Sequence, residues 1–392
     1  EVFTLIPCWM MTPETASALF PQEKVFDLVI FDESSQCLPE RAIPVMSRGK
    51  TIAVLGDQTQ LPPIDLYKSD EEKMPLASIS LIDIISEHFD EISLSRHYRS
   101  TALELIEFSN ENFYHQKLKT IPSYPIGEEP AIKLIETSGQ FGNLVNEKEA
   151  EELSNTAISI LKKDPEKQIG VITFSNEQRL MIKDLINRKI QEEKLRLAHI
   201  PKVKLHLNVQ GDEWDTTLIS TLYTHESQFN EKEHIAGSIN VISTRSRQST
   251  IVFTSIPVNK QLIGDSSLGP LSSFINYAYS VNNKDWKPIL SKPSHPEDWY
   301  LKNYILKNAP IKDQFVDELP FADGALKKRN KYTGIIFSDD QLDEEGIKDN
   351  FCHLNNLLRE RKWPYLQFYS REFWADRAGS LEKLEKFTLR EG

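Results

Sequence analysis

The run FDLVIFDESSQ, Phe26 to Gln36, is an apolar strand pattern that stops at two acids, Asp32 and Glu33. An acid pair at a strand tip is most often a solvated end. It becomes a chemical candidate when other strand ends supply complementary groups. Phosphoryl transfer needs a metal ligand, a base that orients water, a group that senses the transferred phosphate and a cation for the developing charge. Asp32 could hold Mg²⁺ directly or through water, and Glu33 could polarise the attacking water. Gln58 and Gln60 in GDQTQLPP are neutral donors; Arg99 in SRHYRS and Arg245 in STRSR are cations. Taken singly, GDQTQLPP could be a plain turn and an arginine in HYRS a helix cap. Their order along the chain is the stronger signal.

Elements that could position these groups are visible in the hydrophobic pattern. EVFTLIP, VFDLVIFD, KTIAVLGD and EISLS read as strands, with TPETASALF, LPERAIPVMS and PLASISLIDIISEHF as helices or turns between them. Farther on, AIKLIE, QIGVITF, VKLHL, TTLISTL and QSTIVFTSI read as strands. STALELIEFSNENFY, NEKEAEELSNTAISILKK and SNEQRLMIKDLINRKIQEEK read as helices. This alternation predicts an α/β fold with parallel sheets covered by helices. In such sheets ligands sit at the carboxyl ends of strands, where the acid pair and GDQTQLPP fall. Residues 282–298, rich in Pro, Lys and Asn, read as a linker to a smaller α/β segment.

The segments VIFDESSQ, VLGDQTQLPP, LSRHYRS, IGVITFSNEQ, VQGDEWD and NVISTRSR resemble motifs II, III, IV, the following strand–glutamine segment, V and VI of superfamily 1 helicases. The resemblance is to the 5′→3′ class related to the nonsense-mediated-decay helicase. Within it, the chain is most similar to large bacterial members that end in a very-short-patch-repair-like endonuclease domain. It implies RecA-like sheets: the end of a first lobe over 1–92 with motifs II and III, and a complete second lobe over 93–281 with motifs IV to VI. After the 282–298 linker, a restriction-endonuclease-like α/β domain would fill 299–392.

The same resemblance assigns roles. Asp32 would be the Mg²⁺ ligand and Glu33 the general base. Gln58 would sense the γ-phosphate and couple it to the nucleic-acid path. Tyr98 would stack on the adenine, and Arg99 and Arg245 would be the two arginine fingers, with Arg247 at most supporting. Gln36 and Gln178 would face the nucleotide, as would Gln210, Gly211 and Glu213, with Glu213 the hydroxyl acceptor. ATP, Mg²⁺ and a single-stranded tract of DNA or RNA would be the ligands. Ser34 and Ser246 stand where the family has Ala, which removes no functional group.

The family also needs a Walker A loop, GxxxxGK[ST], to cradle the phosphates. RGKT, Arg48 to Thr51, is not one: Pro44 stands where the first Gly should be, and the stretch leads into a strand. The chain opens at Glu1 in what reads as the middle of a strand. It is therefore expected to be the C-terminal part of a helicase whose Walker A part lies upstream or on a partner chain, and to be inactive alone.

In the C-terminal segment, active endonuclease domains of this type bind Mg²⁺ with an Asp and then E-x-D or E-x-K. Asp323 could match the first acid, with Asp339 and Asp340 ending the strand YTGIIF. Ser338 stands where the Glu is expected and no Lys follows, so a degenerate domain kept for contact is favoured over a nuclease. KKRNK, Lys327 to Lys331, could meet phosphates. Trp363, Phe368, Phe373 and Trp374 read as core residues, and His353 as structural.

The 392 residues carry a net charge of −12, which argues against a generally adhesive nucleic-acid binder but not against a local basic channel. Three scattered cysteines, Cys8, Cys37 and Cys352, offer neither a disulfide framework nor a zinc site and fit a reducing cytoplasm. No run approaches a membrane span. Besides the helicase reading stand two alternatives: a non-enzymatic split-helicase subunit in a defence or repair complex, and a nuclease acting through the tail. A role in phage defence rests on family analogy alone.

Overall fold

The computed structural model describes residues 5–63, 79–225, 235–258, 269–289, 300–308, 314–329, 331–338 and 353–390. Strand β1 (Phe26–Phe31) pairs in parallel with β2 (Gly49–Val54), in register from Phe26 opposite Gly49 to Phe31 opposite Val54. Helices α1 (Pro13–Leu19) and α2 (Pro39–Met46) accompany them. Both start with Pro in the first turn, where the missing N–H costs nothing. Buried Arg48 joins the two helices: its guanidinium donates to the carbonyls of Ser17 and Phe20 at the end of α1 and of Pro44 in α2. RGK is thus a structural corner leading into β2. Helix α3 (Leu81–His88) begins with a reciprocal capping box between Ser80 and Asp83.

The remaining elements before the tail are β3 (Arg96–His97), α4 (Glu104–Asn112), β4 (Lys119–Thr120), β5 (Ile132–Glu136), α5 (Glu147–Lys163), β6 (Ile169–Thr173), α6 (Asn176–Glu192), β7 (Lys202–Leu205), β8 (Trp214–Ser220), α7 (Ile235–Ser243), β9 (Ser246–Thr254) and α8 (Pro270–Asn282). A five-stranded sheet has the order β5-β9-β8-β6-β7, with β6 parallel to both neighbours. All five residues of β6 are buried, as a strand covered on both faces requires. Asn146 and Ser175 cap α5 and α6 through their side chains. These parallel sheets with flanking helices are consistent with the expected RecA-like α/β fold.

The tail holds α9 (Tyr300–Asn308), β10 (Phe315–Val316), β11 (Gly324–Lys328), β12 (Lys331–Ser338), α10 (Leu354–Glu360), β13 (Tyr365–Phe368), α11 (Ser370–Ala375) and α12 (Arg377–Arg390). Its sheet runs β10-β11-β12-β13; the first two pairings are antiparallel and β12–β13 is parallel. Trp363, Phe368 and Phe373 are buried here as expected. Trp374 is not core: it is 38% exposed and lies under the Arg377 guanidinium, 4.8 Å from its ring centre.

Several expectations change. Residues 5–7 of EVFTLIP and residues 91–95 of EISLS form no strand; the short strand begins only at Arg96. The chain divides into two interleaved compact units, Glu1–Leu94 with Ile135–Arg245 and Val252–Ile275, and Ser95–Leu134 with Ser246–Ile251 and Asn276–Gly392. Residues of the expected lobe over 93–281 thus contribute to both units. The physical reason lies within the second unit. Ile121, with Tyr124 and Ile126 against it, shares an apolar cluster with Leu319, Ile335, Leu358 and Trp363. Residues 283–289 of the expected linker carry no helix or strand, and 290–298 lie outside the described residues, as do Asp339 and Asp340.

Candidate functional site

The chain leaves β1 through Asp32 and turns at once. Glu33 has a left-handed backbone (φ 52, ψ 41), uncommon for a residue with a side chain, and opens a single 3₁₀ turn over Ser34–Gln36. Three bonds fix this turn. Glu33 N donates to Asp32 Oδ1 at 3.0 Å, and Ser34 N and Ser34 Oγ donate to Leu55 O at 3.0 and 2.7 Å, just past β2. Gly56 must lack a side chain here, because a Cβ would come within 2.4 Å of Ser34 Oγ. The hydroxyl that Ser34 adds relative to Ala therefore has a fixed partner.

The turn meets the VQGDE segment. Gln210 Nε2 donates to Glu33 Oε2 at 2.6 Å and to Ser35 Oγ at 3.4 Å, and Gln36 Nε2 donates to Gln210 Oε1 at 2.6 Å. Gly211 follows with φ +79, and a Cβ there would sit 3.9 Å from Glu33 Oε1. Asp32, Glu33, Gln36, Gln210 and Gly211 are thus assembled at one strand end, with Asp32 exposed and Glu33 half-buried. Ser35 was not singled out in the sequence; its place inside DESSQ was the available signal. The donor set is hard oxygen, which suits Mg²⁺ rather than a thiophilic ion. Among the described residues no group of three or more His, Cys, Asp and Glu side chains gathers as a metal site. Mg²⁺ held by one or two carboxylates together with substrate phosphates fits such a set.

The neighbouring loop is tied to α7. Asn240 Nδ2 donates to Thr59 O and Thr59 Oγ1 at 3.2 and 3.0 Å, and a Cβ on Gly237 would approach Gln60 O to 2.8 Å. Gln58 is engaged by α3: its amide donates to Ser86 Oγ at 2.9 Å and Asp83 Oδ1 at 3.3 Å. Arg245, at the end of α7, is buried. Its guanidinium donates to Val241 O at 2.8 Å, Thr244 Oγ1 at 2.9 Å and Asp212 O at 3.3 Å, so it braces the VQGDE segment.

Gln178 is not brought to this cluster. It is fully buried, its Oε1 accepts from Asn146 N at 2.9 Å, and its Nε2 donates to Asn146 O and Ser220 Oγ. With donor and acceptor both engaged inside the protein, its amide clamps the start of α5. Glu149, one turn into α5, accepts from Leu222 N and Ser220 Oγ at 3.0 Å and from Asn146 Nδ2 at 3.1 Å. Burial nevertheless pushes its carboxyl up to about 7. Glu213 is exposed, Tyr98 is 74% exposed and Arg99 is half-buried. In the tail, Asp323 Oδ2 accepts from Ser338 N at 2.6 Å. Of the basic loop, Lys327 pairs with Glu318 at 2.6 Å and Lys331 with Glu128 at 2.5 Å.

A family model described as an AAA domain matches residues 77–256. The "Uncharacterized ATP-dependent helicase MG140 homolog" of Mycoplasma pneumoniae is 26% identical over 432 residues, which cover 97% of this chain and 38% of that protein. "Uncharacterized ATP-dependent helicase MG140" of Mycoplasma genitalium is 29% identical over 68% of this chain and 26% of its own length. "Regulator of nonsense transcripts 1 homolog" of Arabidopsis thaliana is 25% identical over 58% of this chain and 19% of its own length. The chain thus spans well under half the length of these relatives. The chain is thus similar over most of its length to proteins named as ATP-dependent helicases. No described helix is long and apolar enough to cross a membrane.

Proposed function

We propose that this chain is the C-terminal part of an ATP-dependent nucleic-acid helicase or translocase. It would act 5′→3′ on a single-stranded tract of DNA or RNA, with a Walker A segment supplied in the same polypeptide or by a partner chain. The observation that carries the reading is the bond from Gln210 to Glu33: two segments distant in sequence meet at the carboxyl end of β1. Asp32 would hold Mg²⁺, whose charge would offset that of the phosphates. Glu33 would take the proton of the attacking water, its carboxylate aimed by the Gln210 amide. Arg99 and Arg245 would meet the charge that develops on the transferred phosphate. Gln58 would relay the state of the phosphate through Asp83 and Ser86 on α3.

The tail would be an endonuclease-like module without efficient cleavage. Its β10-β11-β12-β13 order, with α10 between the parallel pair, is compatible with that reading, and the engagement of Asp323 by Ser338 N supports it. A cytoplasmic place in phage defence or repair follows by analogy only.

The test is phosphate release from ATP with Mg²⁺, by this chain alone and by the complete protein. Negligible turnover by the chain and turnover stimulated by single-stranded nucleic acid in the complete protein are expected. A complete protein that ignores nucleic acid would overturn the reading.

A further inference from the structure

We propose that Arg361, in the tail, is a positioning residue for the segment that carries Tyr98 and Arg99; the inference rests on the roles proposed above for those two residues. Arg361 caps α10, and its Nη2 donates to the Tyr98 carbonyl while Nη1 donates to Ser123 Oγ at 3.1 Å. Its own carbonyl accepts from Tyr124 N at 2.9 Å. Two residues on, buried Trp363 donates from Nε1 to Pro122 O at 2.7 Å and packs its ring 5.1 Å from that of Tyr124. The strut is therefore rooted in packed structure.

The segment it reaches is fixed on its other flank. Thr101 N and Oγ1 donate to Arg247 O at 2.8 and 2.9 Å, and Ser123 N donates to Thr101 O at 2.8 Å. His97 Nε2 lies 2.8 Å from Ser100 Oγ. Between these anchors the Tyr98 ring is mostly exposed, so packing of the ring does not hold it. The Tyr98 carbonyl and the Arg99 N–H belong to one rigid peptide plane. A donor on that carbonyl orients the plane from which the Arg99 side chain departs. Arginine suits the task because its planar fork holds two acceptors in a fixed geometry, which a freely rotating ammonium does not. By this contact the tail would set the geometry of an arginine finger.

The experiment measures steady-state ATP turnover by the complete protein carrying Arg361→Ala, Arg361→Lys, Arg99→Ala, or Arg361→Ala with Arg99→Ala. Misplacing a finger should lower kcat by roughly 10- to 100-fold with little change in KM, since a finger acts in the transition state. Arg361→Lys should recover part of the loss and serves if the Ala variant does not fold. The double variant should be no slower than Arg99→Ala alone, because Arg361 acts through Arg99. Losses that multiply, an unchanged kcat in Arg361→Ala, or an effect confined to KM would overturn the inference while leaving the finger role of Arg99 intact. An unaffected Arg99→Ala would remove the premise itself.

Discussion

At the end of β1, the Glu33 carboxylate accepts a 2.6 Å bond from the side-chain amide of Gln210, 177 positions along the chain. Beside β11, the Asp323 carboxylate accepts a bond of the same length from the backbone of Ser338, while Asp323 N donates to Ile336 O at 3.1 Å. Both acids stand at sheet ends, yet their partners differ in kind. A side-chain amide can rotate and give up a carboxylate to water or phosphate without disturbing a strand. A backbone N–H at the end of a β ladder cannot, because the exchange leaves a polar group of the sheet unpaired. The first arrangement is compatible with turnover; the second secures a hairpin.

The largest effects expected from breaking this contrast lie at the cations. Arg99→Ala and Arg245→Ala should each lower turnover by roughly 10³ if both act as fingers. They should differ in stability. Arg245 donates to two backbone carbonyls and a hydroxyl in the buried interior, so its loss should also lower the melting temperature, and by more than the loss of half-buried Arg99. Turnover of Arg245→Ala that follows its stability alone would reassign that residue to bracing.

Next in size is the buried Glu149. The folded protein keeps it protonated up to about pH 7, against an ordinary value of 4.5. Between those values the folded state binds the extra proton, so stability should fall as pH rises through the window and then level off. At about 1.4 kcal/mol per unit, the decline is on the order of 3 kcal/mol. Urea unfolding followed across this range should show the slope in the parent protein and a flatter profile in Glu149→Gln. An identical slope in both would place the titration elsewhere.

Smaller still is the effect at Asp323. Asp323→Asn should cost about 1–3 kcal/mol in unfolding free energy through the weakened bond to Ser338 N. No Mg²⁺- or Mn²⁺-dependent cleavage of plasmid or single-stranded DNA is expected from the complete protein. Cleavage that Asp323→Ala abolishes would show that the acid serves as a ligand and would erase the contrast with Glu33.

Much of the site was legible because its signals are local. An apolar run ending in DE, a Gly–Asp turn after the next run, and glycine at Gly211 are each confined to a few residues, and β1, β2 and β6 follow from short apolar runs and the long helices from the longer patterns between them. What escaped depends on tertiary packing. Two-residue strands such as Arg96–His97 and Lys119–Thr120 are too short to show any alternation. Nothing in IPSYPIG announces that Ile121 and Tyr124 pack with Trp363, which draws residues 95–134 into one unit with the tail. Gln178 follows a strand as a ligand-facing glutamine would, yet Asn146 engages both ends of its amide. Family resemblance alone offers Arg245 as a finger, and only the carbonyls of Val241 and Asp212 reveal that it braces the VQGDE segment.

The most direct measurement sets the two acids side by side: ATP binding and nucleic-acid-stimulated phosphate release by the complete protein carrying Glu33→Gln or Asp323→Asn. Glu33→Gln should bind ATP and lose hydrolysis by roughly 10² or more, since a positioned base is removed, while Asp323→Asn should turn over at the parental rate. Parental hydrolysis in Glu33→Gln, or its loss in a folded Asp323→Asn, would contradict the contrast between the two acids.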